Sequence, residues 1–480
     1  MKRTAVLAAG LAIAVTGAAA LAAPAAADPA PPAATGTAAT AKRLAPALPG
    51  PAGAADPTAR GLSSAALARY ARWSAERPRA GTPTGTVGGA GALAVSARDA
   101  RTGAPVARFC ATVAGDEGSR ACTSDGVVAL RGLAVGVPLP IVVRPDGGGS
   151  RLGDFVAATP RAGEPAAVTA RFGAGGTIRA KMTDGRTGAI LDDRSYLWVR
   201  TVGPDRSWAF VEAEERDAEG WVHTDALPPG TYRILAGADP RYDLGDQWVG
   251  PDGGTGREHL AAQITVREGE ETTAPTVRFD PGGTVRGTVH LADGTPLVGG
   301  AISNESLRYN DYLVWYYYTD AAGHYESPAL GPYDWSFRIG ASWTRTPGAD
   351  QWGGGAREER DAATVRIEAG AEVERDFTLA PGVVLGGAVT GPAGTERHDL
   401  IADAADGLVA GVFFTNAEAT YAHPVLGGRS VKVQASTVEG VEIRSRGWHD
   451  NADSYAAAAP IAVPATGTAT ADLRFPAAPR

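Results

Sequence analysis

The stretch GGTIRAKMTDGRTGAIL, beginning at Gly175, returns as GGTVRGTVHLADGTPLV at Gly282, 107 residues later, and a looser version, GTVGGAGALAVSARDARTGAPV, opens at Gly85. Farther along, DAEGWVHTDALPPGTYRILA from Asp217 is matched by DAAGHYESPALGPYDWSFRIG from Asp320, with SDGVVALRGLAVGVPLPIVV from Ser124 as a first counterpart. Leu133, Leu227 and Leu330 occupy one position of this motif, and Leu426 in PVLGGRSVKVQA supplies a fourth. From Leu227 to Trp248, Leu330 to Trp352 and Leu426 to Trp448 the separations are 21, 22 and 22 residues. A period of about a hundred residues is too long for a solenoid, and long enough for each unit to bury its own core.

Within the copies, β-branched residues alternate with small or polar ones until Thr-Gly or Asp-Gly breaks the pattern ahead of an apolar residue, which predicts an opening hairpin. AAQITVREGEETTAPTVRFDPGG, AATVRIEAGAEVERDFTLAPG and APIAVPATGTATADLRFPA alternate in the same way around a glycine and predict a closing strand pair. Helical periodicity is almost absent. The expected fold is all-β: a tandem array of about four immunoglobulin-like β-sandwich modules at 85–173, 174–281, 282–380 and 381–480.

Ahead of the modules, residues 1–27 read as a signal peptide: Lys2 and Arg3, an apolar run from Ala5 to Ala23, and small residues before a cut after Ala27. The competing reading is an uncleaved anchor. Residues 28–84 form a Pro/Ala-rich linker that cannot bury enough apolar surface to fold alone. A short helix near 62–77, with Leu67, Tyr70 and Trp73 at helical spacing, is expected to dock on the first module. The implied location is secreted and extracellular, with no membrane attachment after cleavage. In that compartment Cys110 and Cys122, flanking a Gly-Asp-Glu-Gly turn, predict a disulfide-closed hairpin. A net charge of −8 offers no basic face for a phosphate backbone, so nucleic acid is not an expected partner.

The segments GGTVRGTVHLADGTPLVGGAI, DAAGHYESPAL and LPPGTYRILA resemble the carboxypeptidase regulatory-like domain family. Its members share a transthyretin-like or carbohydrate-binding-like immunoglobulin-type sandwich. The resemblance covers the second and third modules well and the first and fourth poorly. It implies accessory, stalk or sugar-binding modules, and it brings no catalytic residue with it.

The chain's own residues carry no catalytic motif. The seven histidines form no HExxH, neither cysteine sits as a nucleophile, and no Gly-x-Ser-x-Gly elbow or Walker loop occurs. The acidic run EAEERDAEG from Glu212 reads either as a solvated edge or as a source of glycosidase carboxylates. Asp-Gly turns at Asp146 and Asp252 lack the alternating ligands of a calcium loop, and neither a metal nor a cofactor is expected.

For carbohydrate contact the candidates are Trp248, Trp352 and Trp448, each beside a loop rich in Gly, Asp or Asn, whose indoles either stack on sugar or plug the same hole in every copy. In RYNDYLVWYYYTDAAG, alternation puts Tyr316 and Tyr318 on one face and Leu313, Trp315 and Tyr317 on the other. The Tyr316/Tyr318 face is read as a platform for ligand or for a neighbouring module, the Trp315 face as core. Lys181, in the first strand of the second module, is paired with Asp280 as a candidate isopeptide link. Together these readings predict a secreted, non-catalytic binding or display protein whose first ligand class is polysaccharide or cell-surface glycan. The alternatives are a polysaccharide-acting glycosidase and a purely structural spacer.

Overall fold

A computed structural model describes residues 43–44, 62–63, 66, 69 and 89–474, apart from 115, 147–148, 192–194, 203–207, 213–215, 307–314, 342–347, 391–395, 417–419, 440–441 and 453. The expected signal peptide and most of the linker, with Leu67, Tyr70 and Trp73, lie outside the described residues, as does the middle of the acidic run after Glu212.

The fold is a succession of two-sheet β-sandwiches, each built on the same plan. One sheet is organised around the strand that opens the repeat: Gly91–Asp99, Thr177–Asp184, Thr284–His290 and Val383–Thr390. That strand takes an antiparallel neighbour from mid-repeat and a parallel one from the repeat's end, as when Thr177–Asp184 lies between Trp221–His223 and Glu271–Thr273. The second, larger sheet of the same sandwich runs Trp208–Glu212, Tyr196–Thr201, Gly230–Gly237, Gln247–Val249, Gly254–Thr255. Alternation puts Ile178, Ala180 and Met182 inward with Leu197, Val199, Tyr232, Ile234 and Phe279, all nearly inaccessible to solvent. Leu133, Leu227, Leu330 and Leu426 are all buried, so their shared position is a core position.

Two expectations change in the structure. The closing pair is not a hairpin: Ile264–Val266 joins the large sheet through Gly230–Gly237, while Glu271–Thr273 joins the small one. Gly269, with φ +74°, turns the chain from one layer to the other. The alternating pattern is the same for an arch as for a hairpin, because both strands still turn one face to one core. The opening hairpin shrinks for the same reason to single bridges, Thr183 with Ile190 and His290 with Pro296, after which the chain crosses layers.

Ahead of the first sandwich, Leu62 and Ala66 pack on Val142 and Phe155, and Arg69 reaches Asp154. Arg43–Leu44 pairs with the strand Trp315–Tyr318. Cys110 and Cys122 are disulfide-bonded across directly opposed positions of Phe109–Val113 and Asp116–Thr123, as expected.

The second, third and fourth sandwiches are joined through their large sheets. In Tyr196–Thr201 every residue after the first is buried, the signature of a strand covered on both faces. Its outward residue Trp198, with Leu235, Trp248 and Ala261, belongs to one apolar cluster with Val285, Ile302, Trp335 and Phe337 of the next sandwich. Ala301 and Tyr318 likewise meet Leu400, Ala402, Val409, Val412 and Trp448 of the fourth.

Candidate functional site

Asp-Gln-Trp is where one sandwich meets the next. Asp246 receives a backbone bond from Gly331 (2.8 Å) and gives one to Ala329 (3.0 Å), so this strip forms a short parallel ladder with the third sandwich. Gly245 is required there, because a Cβ would come within 2.2 Å of the Gly331 nitrogen. The side chain of Gln247 accepts from the hydroxyl of Tyr333 (2.8 Å), which also donates to Asp280 (2.6 Å). Burial, and then the Asp280 bond, raise the Tyr333 phenol well above its ordinary pKa. Trp248 is wholly buried, with its Nε1 donating to Asn304 O of the third sandwich at 3.4 Å.

The expectation that Trp248, Trp352 and Trp448 present indoles to sugar is therefore corrected: all three are buried, at 0%, 3% and 3% exposure. Trp248 packs against the third sandwich, Trp448 packs with Ala301 and Tyr318 of the third sandwich and against the local Tyr455, and Trp352 lines a crevice with Leu408 and Val409 of the fourth. Tyr317 lies in the core of the third sandwich, on the parity assigned to core, and burial holds its phenol far above the usual pKa. Tyr318 is half-buried against the fourth sandwich, so its face serves a neighbouring module. The side chains of Tyr316, Trp315 and Leu313 lie outside the described residues.

Charged groups reinforce the same junctions. Arg200, 1% exposed, donates to Glu258 (3.2 Å) and to the carbonyl of Ser306 in the third sandwich. Glu258 also accepts from the Ser306 amide at 3.0 Å. Glu359, in the equivalent turn of the next repeat, accepts from Arg257 and His259 of the second sandwich.

What stays open to solvent is the outer face of each small sheet. In the second sandwich this face is built by the turn DAEGW: Asp217 Oδ1 accepts from the amides of Glu219 (3.0 Å) and Trp221 (2.9 Å), and Gly220 supplies φ +82°. Trp221 thereby lands opposite Lys181, and His223 opposite Arg179. The Arg179 guanidinium lies 4.6 Å and the Lys181 ammonium 4.7 Å from the centre of the half-buried Trp221 ring. His223 bridges Glu271 (2.9 Å) and Asp217 (3.1 Å), and Arg179 also contacts Glu271 (3.3 Å). The Asp217 bond, with Glu271 behind it, raises the His223 pKa above 6.5, and the same bond lowers that of Asp217. The result is an aromatic plate flanked by cations, with a histidine held toward its protonated form beside it.

The third sandwich repeats this frame with other chemistry. Asp320 and Gly323 form the same turn, and His324 and Glu326 stand where Trp221 and His223 do. Arg286, Thr288, Tyr318, Glu326, Glu374 and Asp376 border an open cleft of about 870 Å3 there. In the fourth sandwich the equivalent residues are Gly386, Ala388, Thr420 and Ala422, a flat face of small side chains.

Sequence reasoning missed Trp221 because it weighed tryptophans that recur, and this one does not. Its signal was the combination of Asp217 at a turn and two cations two positions apart on a facing strand. The Lys181–Asp280 link is corrected too. Alternation turns Lys181 to the outer face over Trp221, whereas Asp280 receives Tyr333 at the junction. Among the described residues no group of three His, Cys, Asp or Glu side chains is placed to hold a metal, and no helix is long and apolar enough to cross a membrane.

No family model matches the chain, and no curated protein matches it. Among solved structures it is similar to the Bacillus anthracis TIE protein, at 11% identity over 80% of this chain and 68% of that one, with a TM-score of 0.16. The streptococcal ancillary pilin gives 13% identity over 60% and 98%, with a TM-score of 0.17. BcpA, the major pilin subunit of Bacillus cereus, gives 8% identity over 60% and 98%, with a TM-score of 0.14. Overlaps this slight assign no role, and the fold rests on the strands, sheets and cores described above.

Proposed function

We propose that this chain is a secreted, non-catalytic display protein that contacts polysaccharide at the outside of the cell through the outer face of its second sandwich. The observation that carries the reading is Trp221: a tryptophan whose place the third sandwich fills with His324, half-open to solvent, with Arg179 and Lys181 over its ring. Such a plate offers a pyranose an apolar surface, with hydrogen-bonding groups from Arg179, His223 and Glu271 at its edge. The stiff junctions support display, because they hold this face at a fixed place in the array. The resemblance to carbohydrate-binding-like sandwiches points the same way.

The test mixes residues 28–480 with insoluble chitin, cellulose, starch and bacterial cell wall, then measures protein depletion and sugar release. Depletion without release is expected, with Trp221→Ala weakening retention roughly tenfold, about 1.4 kcal/mol, and Tyr318→Ala leaving it unchanged. Sugar release would make the chain an enzyme. Retention on none of the four would favour the structural spacer, a reading that the buried charges between the second and third sandwiches also support.

A further inference from the structure

The outer face around Trp221 holds more positive charge than its own carboxylates match. Alternation along Thr177–Asp184 turns Arg179 and Lys181 outward. Arg278, exposed between the buried Val277 and Phe279, faces the same way from the strand on the other side, opposite Thr183. Trp221 pairs with Lys181, so the ammonium lies between the indole and Arg278, whose backbones are about 12 Å apart across the three strands.

Two basic groups on this face already have acidic partners: Arg179 contacts Glu271 at 3.3 Å, and His223 contacts Asp217 at 3.1 Å. Lys181 has the Trp221 ring 4.7 Å from its ammonium, and neither it nor Arg278 has a carboxylate in ion-pair range among the described residues. Two positive charges thus stand open to an outside partner, on a chain whose net charge is −8. The repeat itself does not require them. In the third sandwich Thr288 and Thr378 occupy the places of Lys181 and Arg278, and Glu326 and Glu374 those of His223 and Thr273.

We infer that the polysaccharide this face takes is acidic, with carboxylates on its pyranose rings, an inference that rests on the reading of Trp221 as the sugar contact. A ring against Trp221 brings its carboxylate within reach of Lys181, and the polymer continues across the sheet toward Arg278. Both contacts are hydrogen bonds between charged partners, stronger than those a neutral hydroxyl makes. A neutral glycan gains the ring contact and leaves both cations unmatched. The rest of an acidic chain repels a polyanion, so binding depends on this local patch and weakens as salt screens it.

The experiment measures the Kd of residues 28–480 at low salt for three soluble polymers: polygalacturonate, its methyl ester with the same rings and no charge, and poly(glycerol phosphate) with charge and no ring. Polygalacturonate should bind roughly tenfold more tightly than either of the others. Lys181→Gln combined with Arg278→Gln, both on the outer face, should bring polygalacturonate to the level of the ester and leave the ester unchanged. Trp221→Ala should weaken both. Equal affinity for polygalacturonate and its ester would overturn the acidic assignment and leave the carbohydrate reading standing. Equal affinity for poly(glycerol phosphate) would also overturn it, making the face an anion patch indifferent to rings. Binding of none of the three would sink it as well, and the carbohydrate reading falls with it only if the four insoluble polysaccharides also retain nothing.

Discussion

His223 shows how a repeated position acquires its own chemistry. Its ring lies between two carboxylates on an open face, while the corresponding residue of the third sandwich is Glu326. A histidine whose folded pKa exceeds its unfolded one adds stability that is fully present below the unfolded value, near 6.5, and fades as pH rises through the folded value. An NMR titration should therefore give His223 a pKa above 6.5, and Asp217→Asn should bring it down toward the ordinary value. At the junction, Glu258→Gln removes the carboxylate charge that faces the buried guanidinium of Arg200. That change should cost about 3–5 kcal/mol in urea unfolding, whereas replacing the exposed Arg267–Glu270 pair should cost under about 1 kcal/mol.

At the scale of elements, the large-sheet strands do two jobs. Val199 faces the core of the second sandwich, and its neighbour Trp198 faces the third. Trp248, on the adjoining strand Gln247–Val249, fills the same boundary. Trp248→Ala should cost about 3–5 kcal/mol, and its effect should appear as loss of amide protection in both sandwiches rather than in the second alone. The disulfide acts more locally. It closes a span of 12 residues between directly opposed strands, and reduction should lower the stability of the first sandwich by about 3 kcal/mol without altering the others.

Across the whole molecule, these contacts divide the array unevenly. Apolar clusters run from the second sandwich into the third and from the third into the fourth, whereas the first has a core of its own. Between the first and second, the contacts include the Ser150–Gly175 backbone bond and an open hollow of about 580 Å3 lined by Asp99, Arg151 and Glu268. Calorimetry should show two transitions: a smaller one for the first sandwich that moves with reductant, and a larger one in which the remaining three melt together. A separate transition for the second sandwich would contradict the shared clusters.

By itself the sequence determined the repeat, the strand class, the buried leucine of each copy and the disulfide. All of these depend on local alternation, turn residues and spacing, which a linear pattern carries in full. It carried the two faces of the strand through Tyr317 as well, since parity follows from alternation. Only the tertiary structure decided what covers each outward face. Trp248, Trp352 and Trp448 look like binding residues until the neighbouring repeats and loops are in place, and Tyr318 needs the fourth sandwich before its surface is accounted for. The reverse holds for Trp221: nothing in its immediate sequence marks it as exposed, and its pairing with Arg179 and Lys181 joins residues about forty positions apart. Burial between modules is a property of how whole sheets meet, and that meeting depends on residues scattered over two repeats, so no single stretch of the chain records it.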